Sequence, residues 1–281
     1  MDSKQWLEKA CYVEFAGHSL FTRTEGSGAA LLLIHGFPTS SFDWALLWPE
    51  LAARFHLHTL DMLGFGFSDK PTDYAYSLKA SADQWQAFVQ AQGLNEVMIL
   101  AHDYGDTVAQ ELLARQIDGS LPFKISKICL LNGGIFPEAT FPILMQKLLL
   151  SRVGPVISRL SNYRRFSSSM RKICSKPLSD NMLLEHWQLL SRANGKLVIP
   201  KIIQYIRERR IHRTRWVSAL QQANIPLCLI NGVEDPISGA TMVKRWRELL
   251  PTVSVLELHG VGHYPQWEDP QRVLHALNDF L

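Results

Sequence analysis

A mostly parallel, doubly wound α/β sheet carrying a helical cap is the fold class that this sequence predicts, and three observations predict it. Short apolar runs alternate with longer segments of helical period. That alternation stops for roughly 80 residues in the middle of the chain, and it resumes afterwards with two more strand-like runs.

The strand candidates are residues 31–35, 56–61, 97–101, 128–131, 226–230 and 253–258, most of them rich in Leu, Ile and Val. Such runs suit strands buried on both faces. Ahead of them, residues 12–15 and 18–23 flank Ala16-Gly17 and read as an antiparallel hairpin. Helical spacing covers residues 41–54, 77–92, 105–116, 239–249 and 268–280. Between residues 131 and 226 the sequence is helical and basic, and an insertion at that point would lie over the strand ends. The expected organisation is a core of residues 1–134 and 217–281 with a cap of residues 135–216.

With 281 residues and 47% hydrophobic content, one large core is expected. No apolar run is long enough to span a bilayer. The first residues lack the basic and apolar pattern of a secretory signal, so the expected location is the cytoplasm. Cys11, Cys129, Cys174 and Cys228 form no close pair, which argues against a disulfide framework or a zinc knuckle. The net charge of +3 conceals an uneven distribution. Residues 135–216 hold 16 Lys and Arg against 4 acids, which is +12 and leaves −9 for the remainder.

The densest chemical signal is Ala101-His102-Asp103-Tyr104-Gly105, at the end of a strand run and the start of a helical one. Small residues two places either side of Asp103 match the steric pattern of a nucleophile elbow, where a sharp turn exposes the central side chain. A carboxylate there faces a helix N-terminus, which favours its ionised form. A plain N-cap is the competing reading for Asp103. Two further loops follow strand runs. One holds Glu234 and Asp235, with Asp235 the preferred acid; the other holds His259 and His263, with His263 the preferred base. Nucleophile, acid, histidine is the chain order of an α/β-hydrolase triad. His102 is expected to point away from the site. The loop His35-Gly36-Phe37-Pro38 would supply one oxyanion-hole N–H from Phe37, and Tyr104 the other. His35 is expected to brace this loop. The glycine-rich turn after Asp61 lacks the spacing of a dinucleotide fingerprint and reads as structural.

Taken together, HGFPTSSFDW (35–44), LDMLGFGFSDKP (60–71), HDYGDTVAQELL (102–113), LNGGIFPE (131–138) and HYPQWEDP (263–270) resemble the mesoderm-specific transcript proteins and their bacterial relatives. These stand near the epoxide hydrolases and haloalkane dehalogenases of the α/β-hydrolase superfamily. The resemblance implies attack by Asp103 on an electrophilic carbon of a small-molecule substrate, followed by hydrolysis of the resulting ester. It also implies a cap tyrosine donating to an epoxide oxygen, for which Tyr205 is the match and Tyr163 a weaker partner. Tyr205 could also be plain packing on an amphipathic helix. Dehalogenation is only the second expectation, because Tyr104 and Phe37 stand in place of the tryptophan and the second Trp or Asn with which dehalogenases hold halide. A member of the fold that binds or signals without turnover is the third. No metal or organic cofactor is implied.

The cap's positive charge admits three readings: a solvated face, peripheral contact with an anionic membrane, or a field that draws in an anionic substrate. No nucleic-acid recognition motif accompanies it, so nucleic acid is not an expected partner.

Overall fold

A computed structural model describes residues 1–281. In chain order the elements open with α1 (Ser3–Glu8), β1 (Ala10–Phe15), β2 (His18–Glu25), β3 (Ala30–Ile34), α2 (Trp48–Ala52) and β4 (His56–Leu60). There follow α3 (Leu78–Ala91), β5 (Glu96–His102), α4 (Tyr104–Ile117) and β6 (Lys124–Leu131). The helical insertion comprises α5 (Leu144–Leu150), α6 (Gly154–Arg159), α7 (Tyr163–Ile173), α8 (Asp180–Ser191), α9 (Gly195–Ile202), α10 (Tyr205–Ile211) and α11 (Arg213–Gln221). The chain closes with β7 (Leu227–Gly232), α12 (Ala240–Leu249), β8 (Ser254–Leu258), α13 (Pro265–Glu268) and α14 (Pro270–Phe280).

The eight strands form one sheet in the order β1-β2-β4-β3-β5-β6-β7-β8, antiparallel at β1-β2 and β2-β4 and parallel elsewhere. The unbroken apolar runs of β3, β5, β6 and β7 are buried on both faces at the centre, whereas the edge strands β1 and β8 alternate in exposure. One face of the sheet packs with α3, α4, α12 and the inner cap helices around Trp85, Leu112 and Trp216; the other packs with α1, α2 and α14 around Trp6, Trp48 and Leu277. Ile34 pairs with Ala101, Ala101 with Leu130, and Leu131 with Ile230. That register brings the loops after β3, β5, β6 and β7 to one end of the sheet, where ligands gather in such folds.

Three sequence expectations require adjustment. The segment 41–54 is divided into a 3-10 turn at Ser41–Trp44 and the short α2, whose second residue is Pro49. Proline has no N–H to give to a preceding turn, so it opens a helix and does not continue one. Pro270, preceded by the capping side chain of Asp269, similarly separates α13 from α14. Helix α1 lies outside every expected element. Asp2 and Gln5 form a capping box at its start, and Trp6 docks edge-on to Trp48 at 4.8 Å beneath the Arg23 guanidinium.

No helix is long and apolar enough to cross a membrane.

Candidate active site

Strand β5 runs directly into α4 through Asp103, whose φ of 47° and ψ of −102° place a non-glycine residue in strained backbone. Gly105 permits the turn: a Cβ on it would lie 2.4 Å from the Ile34 carbonyl oxygen of neighbouring β3. The close approach explains why the position after Tyr104 must be so small.

The Asp103 carboxylate is held at both oxygens. Oδ2 accepts the Phe37 backbone N–H at 3.1 Å, which is the donor expected of the loop after β3. Oδ1 lies 3.4 Å from Nη2 of Arg209, which donates a shorter bond of 2.7 Å to the Asp103 carbonyl. Arg209 comes from α10 of the insertion and is 4% exposed. Its Nε donates to Thr107 Oγ1 at 2.8 Å, and its guanidinium lies 4.6 Å from the centre of the Tyr205 ring. A Cβ on Gly134 would come within 2.3 Å of Arg209 Nη1, so this glycine creates the berth for the guanidinium.

His263 and Asp235 meet at 2.7 Å, Nδ1 to Oδ2. Asp235 also accepts from Ser238 Oγ at 2.7 Å, from Asn132 Nδ2 at 3.0 Å and, at its other oxygen, from the Ile237 N–H at 2.7 Å. Burial alone would raise this carboxyl, but the His263 charge and these hydrogen bonds outweigh it and hold the group below the usual carboxylate range. His263 is opposed by its own burial, yet Asp235 and the more distant charge of Asp103 carry it above the ordinary histidine value. The other acid of this loop, Glu234, does not reach the imidazole; its backbone N–H donates to the Val261 carbonyl.

His102 does not turn away from the site. Its Nε2 lies 2.8 Å from the His263 carbonyl oxygen, and burial lowers its pKa to about 4. A neutral, buried ring thus braces the backbone of the histidine loop. His35 braces as expected, with Nε2 accepting the Met62 N–H at 3.2 Å. His259 lies beyond the end of β8 on the exposed surface.

Tyr205 opens α10 and is buried, its ring 5.5 Å from that of Phe37 and 5.0 Å from that of Tyr104. Burial first, and then the charge of Asp103, push its hydroxyl upward, so it stays protonated. The Tyr104 hydroxyl faces the other way, 2.8 Å from Ser81 Oγ and donating to the Ser77 carbonyl at 3.3 Å. Tyr163 is remote from this cluster: its hydroxyl bonds Asp180 at the periphery of the insertion.

Next to these groups lies a cavity of about 110 Å³ between core and insertion. Phe37, Pro38, Ile237 and His263 form its core side, and Leu149, Ile157, Phe166, Met170 and Ile199 are among the apolar residues on its insertion side. Asp103 does not itself line the cavity. Its carboxylate is 4% exposed and sits behind Phe37, which touches it, and within the electrostatic reach of His263. No group of three or more His, Cys, Asp or Glu residues is placed to hold a metal ion.

Sequence reasoning missed Arg209, Asn132 and Asp106. Asn132 grips the acid loop from the end of β6, donating to Asp235 and to the Gly232 carbonyl while accepting the Gly232 N–H at 2.7 Å. Asp106 is fully buried, with Oδ2 unpaired; burial and the neighbouring Asp103 charge raise it well above the usual range, against the lowering effect of Arg209. A signal for Arg209 was present: it follows Tyr205 by four residues and so shares its helix face.

The family model for the alpha/beta hydrolase fold matches residues 29–270. The mesoderm-specific transcript homolog protein of Bos taurus is 39% identical over 98% of this chain and 87% of its own length. LipZ of Mycobacterium tuberculosis is 36% identical over 99% of this chain and 97% of its own. Among solved structures, the epoxide hydrolase CorEH superposes with a TM-score of 0.77 at 21% identity, covering 96% of this chain and 97% of that one. At that identity the likeness shows a shared fold.

Proposed function

The chain belongs to the α/β-hydrolase-fold family, and from that premise we propose that it is a hydrolase forming a covalent ester on Asp103, with small apolar epoxides as its best-fitting substrates. The observation that carries this reading is the placement of Asp103 Oδ2 on the Phe37 N–H. In an ester through Oδ1, Oδ2 becomes the carbonyl oxygen, and it already occupies the position where negative charge develops during hydrolysis. An aspartate that served only as an N-cap would direct its side chain to the first N–H groups of its own helix, and Asp103 makes no such bond.

Oδ1 attacks a ring carbon, the carbon–oxygen bond of the epoxide breaks, and the freed oxygen takes the proton of the Tyr205 hydroxyl. His263 then removes a proton from water, and the resulting hydroxide adds to the Asp103 carbonyl carbon. Phe37 N–H and Tyr104 N–H stabilise the oxyanion. The intermediate collapses, the diol oxygen leaves with the proton held by His263, and Asp103, now carrying the water oxygen, returns its remaining proton to the Tyr205 phenolate, which restores both groups. Asp235 holds the imidazole in the tautomer this requires. The apolar cavity walls favour a hydrocarbon body around the reacting ring.

Dehalogenation is the second reading. Arg209 offers a cation beside the nucleophile, but the Tyr104 hydroxyl, committed to Ser81 and Ser77, gives a halide no second donor.

Single-turnover hydrolysis in heavy-oxygen water, followed by mass analysis of the peptide containing Asp103, tests the ester cycle. Label is expected in that carboxylate with an epoxide substrate, and halide release with a haloalkane distinguishes the second reading. An unlabelled peptide after demonstrated turnover overturns the mechanism, and no turnover on either class favours a binding protein. His263→Gln is expected to slow ester hydrolysis by about 10² to 10⁴ and to trap the adduct. The rate of the hydrolytic step in the wild type is expected to rise with pH through a pKa above the ordinary histidine value of about 6.5, because the base must be neutral. Asp235→Asn should move that limb to lower pH, and a limb that stays in place removes Asp235 from the assignment.

A further inference from the structure

Helices α5 and α6 expose an apolar surface that packing within the chain leaves uncovered. Phe141, Leu144, Val153, Val156 and Leu160 are more than half exposed, with Leu144 at 72% and Leu160 at 64%. Helix α5 is covered on one side only, with Leu149 and Leu150 half-buried against the core and no residue fully buried. Exposed apolar side chains opposite such a packed side form a surface able to meet something outside the chain.

The charge around this surface has one sign. From Ala139 to Ser179 there is no Asp or Glu, while Lys147, Arg152, Arg159, Arg164, Arg165, Arg171, Lys172 and Lys176 all fall in the segment. Arg171 pairs with Asp180 and Lys176 with Asp269. The other six are exposed and have no acidic partner. Apolar side chains ringed by unpaired cations match an interface of hydrocarbon beneath anionic headgroups. A protein partner would need a matching acidic rim and a shaped receptor for separate apolar tips, and nothing in the chain pre-forms either.

The undersides of the same helices line the cavity. Met145 and Leu149 of α5, Ile157 of α6, and Phe166 and Met170 of α7 face into it, and Arg165 both lines it and is exposed to solvent. The surface and the entrance are therefore two sides of one thin layer.

We propose that the α5–α7 face docks on a bilayer containing anionic phospholipid, with the cavity mouth turned toward the lipid. The docking stands apart from the Asp103 chemistry; only the entry of an apolar substrate from the lipid rests on that reading. Binding is measured without substrate, so that the two can fail separately.

The probe is sedimentation of the full chain with vesicles of phosphatidylcholine alone or of phosphatidylcholine with phosphatidylglycerol, at low and high salt. Partition is expected to favour the anionic vesicles by more than about tenfold and to weaken with salt, as each cation near such a surface multiplies binding about fivefold. Arg152→Gln with Arg159→Gln should therefore reduce partition by about 25-fold. Leu144→Ser with Leu160→Ser should reduce it by at least about tenfold, since buried hydrocarbon supplies the other half of interfacial binding. Arg247→Gln, on α12 of the core, is the control and should change nothing. All these positions are exposed, and a thermal melt checks that each variant folds. Equal partition onto the two vesicle types overturns the proposal, as does anionic binding that survives both pairs of substitutions. Self-association of the free chain that is lost in Leu144→Ser/Leu160→Ser would assign the face to a second copy and overturn it as well.

Discussion

Residues 205–221 and residues 141–173 of the insertion are both rich in arginine and lysine, and the fold puts those charges to different use. In the first region three of the five arginines find an acid. Arg209 reaches Asp103, Arg213 pairs with Glu138, and Arg215 bridges Glu111 and Asp118. Three of those acids, Asp103, Glu111 and Asp118, sit on or beside α4 of the core. In the second region Arg171 reaches Asp180, but Lys147, Arg152, Arg159, Arg164, Arg165 and Lys172 face solvent without an acidic partner. The surplus of +12 in residues 135–216 is thus two populations, one that fastens the insertion to a core of opposite sign and one that is left facing outward. A charge count cannot separate them, because pairing is decided by acids about 100 residues away in sequence.

Removing Arg209 should break this contrast most severely. Arg209→Met keeps the bulk of the side chain and discards the charge, leaving the Asp103 carboxyl, 4% exposed, without its ion-pair partner and Asp106 without its one nearby cation. Truncating one partner of a buried ion pair costs about 3–5 kcal/mol. Urea titration is expected to show a loss of that order, with turnover falling at least about 100-fold as the elbow loses its bond to the Asp103 carbonyl. Stability unchanged within about 0.5 kcal/mol would place Arg209 among the outward-facing cations after all.

A smaller loss is expected at Glu111, where the fastening can be titrated. Its side chain is 3% exposed and accepts from Arg115, from Arg215 and, at 2.7 Å, from Trp216 Nε1. Burial raises this carboxyl, but Arg215, Trp216 and Arg115 together outweigh burial and leave it below its usual value. A depressed folded-state pKa stabilises above the unfolded value of about 4.3 and loses that contribution as pH falls through the folded value. Glu111→Gln should therefore destabilise by about 1.5–3 kcal/mol near neutrality, and the gap to the wild type should narrow on acidification below about pH 4. A gap independent of pH would mean that the carboxylate charge contributes nothing to cap docking.

The same distinction between local and distant partners decides what was legible in the sequence. Strand runs buried on both faces, the hairpin turn at Ala16-Gly17, with φ of 50° and 78°, and the elbow around Asp103 are each written in a few neighbouring residues, and each lies where local pattern places it. Asp235, rather than Glu234, meets His263, and the two loops were recognisable because each follows its own strand. Asn132 and Asp106 were not recognisable, and Arg209 was signalled only by its place one helical turn after Tyr205, since the roles of all three exist only once β6, α4 and α10 converge. The glycines of Asn132-Gly133-Gly134 show why. A Cβ on Gly133 would strike Asp106 Oδ2 at 2.1 Å and one on Gly134 would strike Arg209, but the sequence does not say what approaches a glycine. His102 was misjudged for a related reason. Its place beside the elbow suggested a side chain turned from the site, while the histidine loop folds back over it and is held by it.

The smallest effect on stability is expected from the outward population, and its smallness is what makes it informative. Arg152 and Arg159 stand at the two ends of α6, exposed and free of acids, so Arg152→Gln with Arg159→Gln should leave urea stability within about 0.5 kcal/mol of the wild type. Repulsion among the neighbouring cations makes a slight gain the expected sign at low salt, and it should vanish as salt is added. Charges without a structural return cost the chain folding stability, a cost that the proposed contact with an anionic bilayer would offset. A clear loss of stability in the double variant would instead reveal a hidden internal partner and merge the two populations into one.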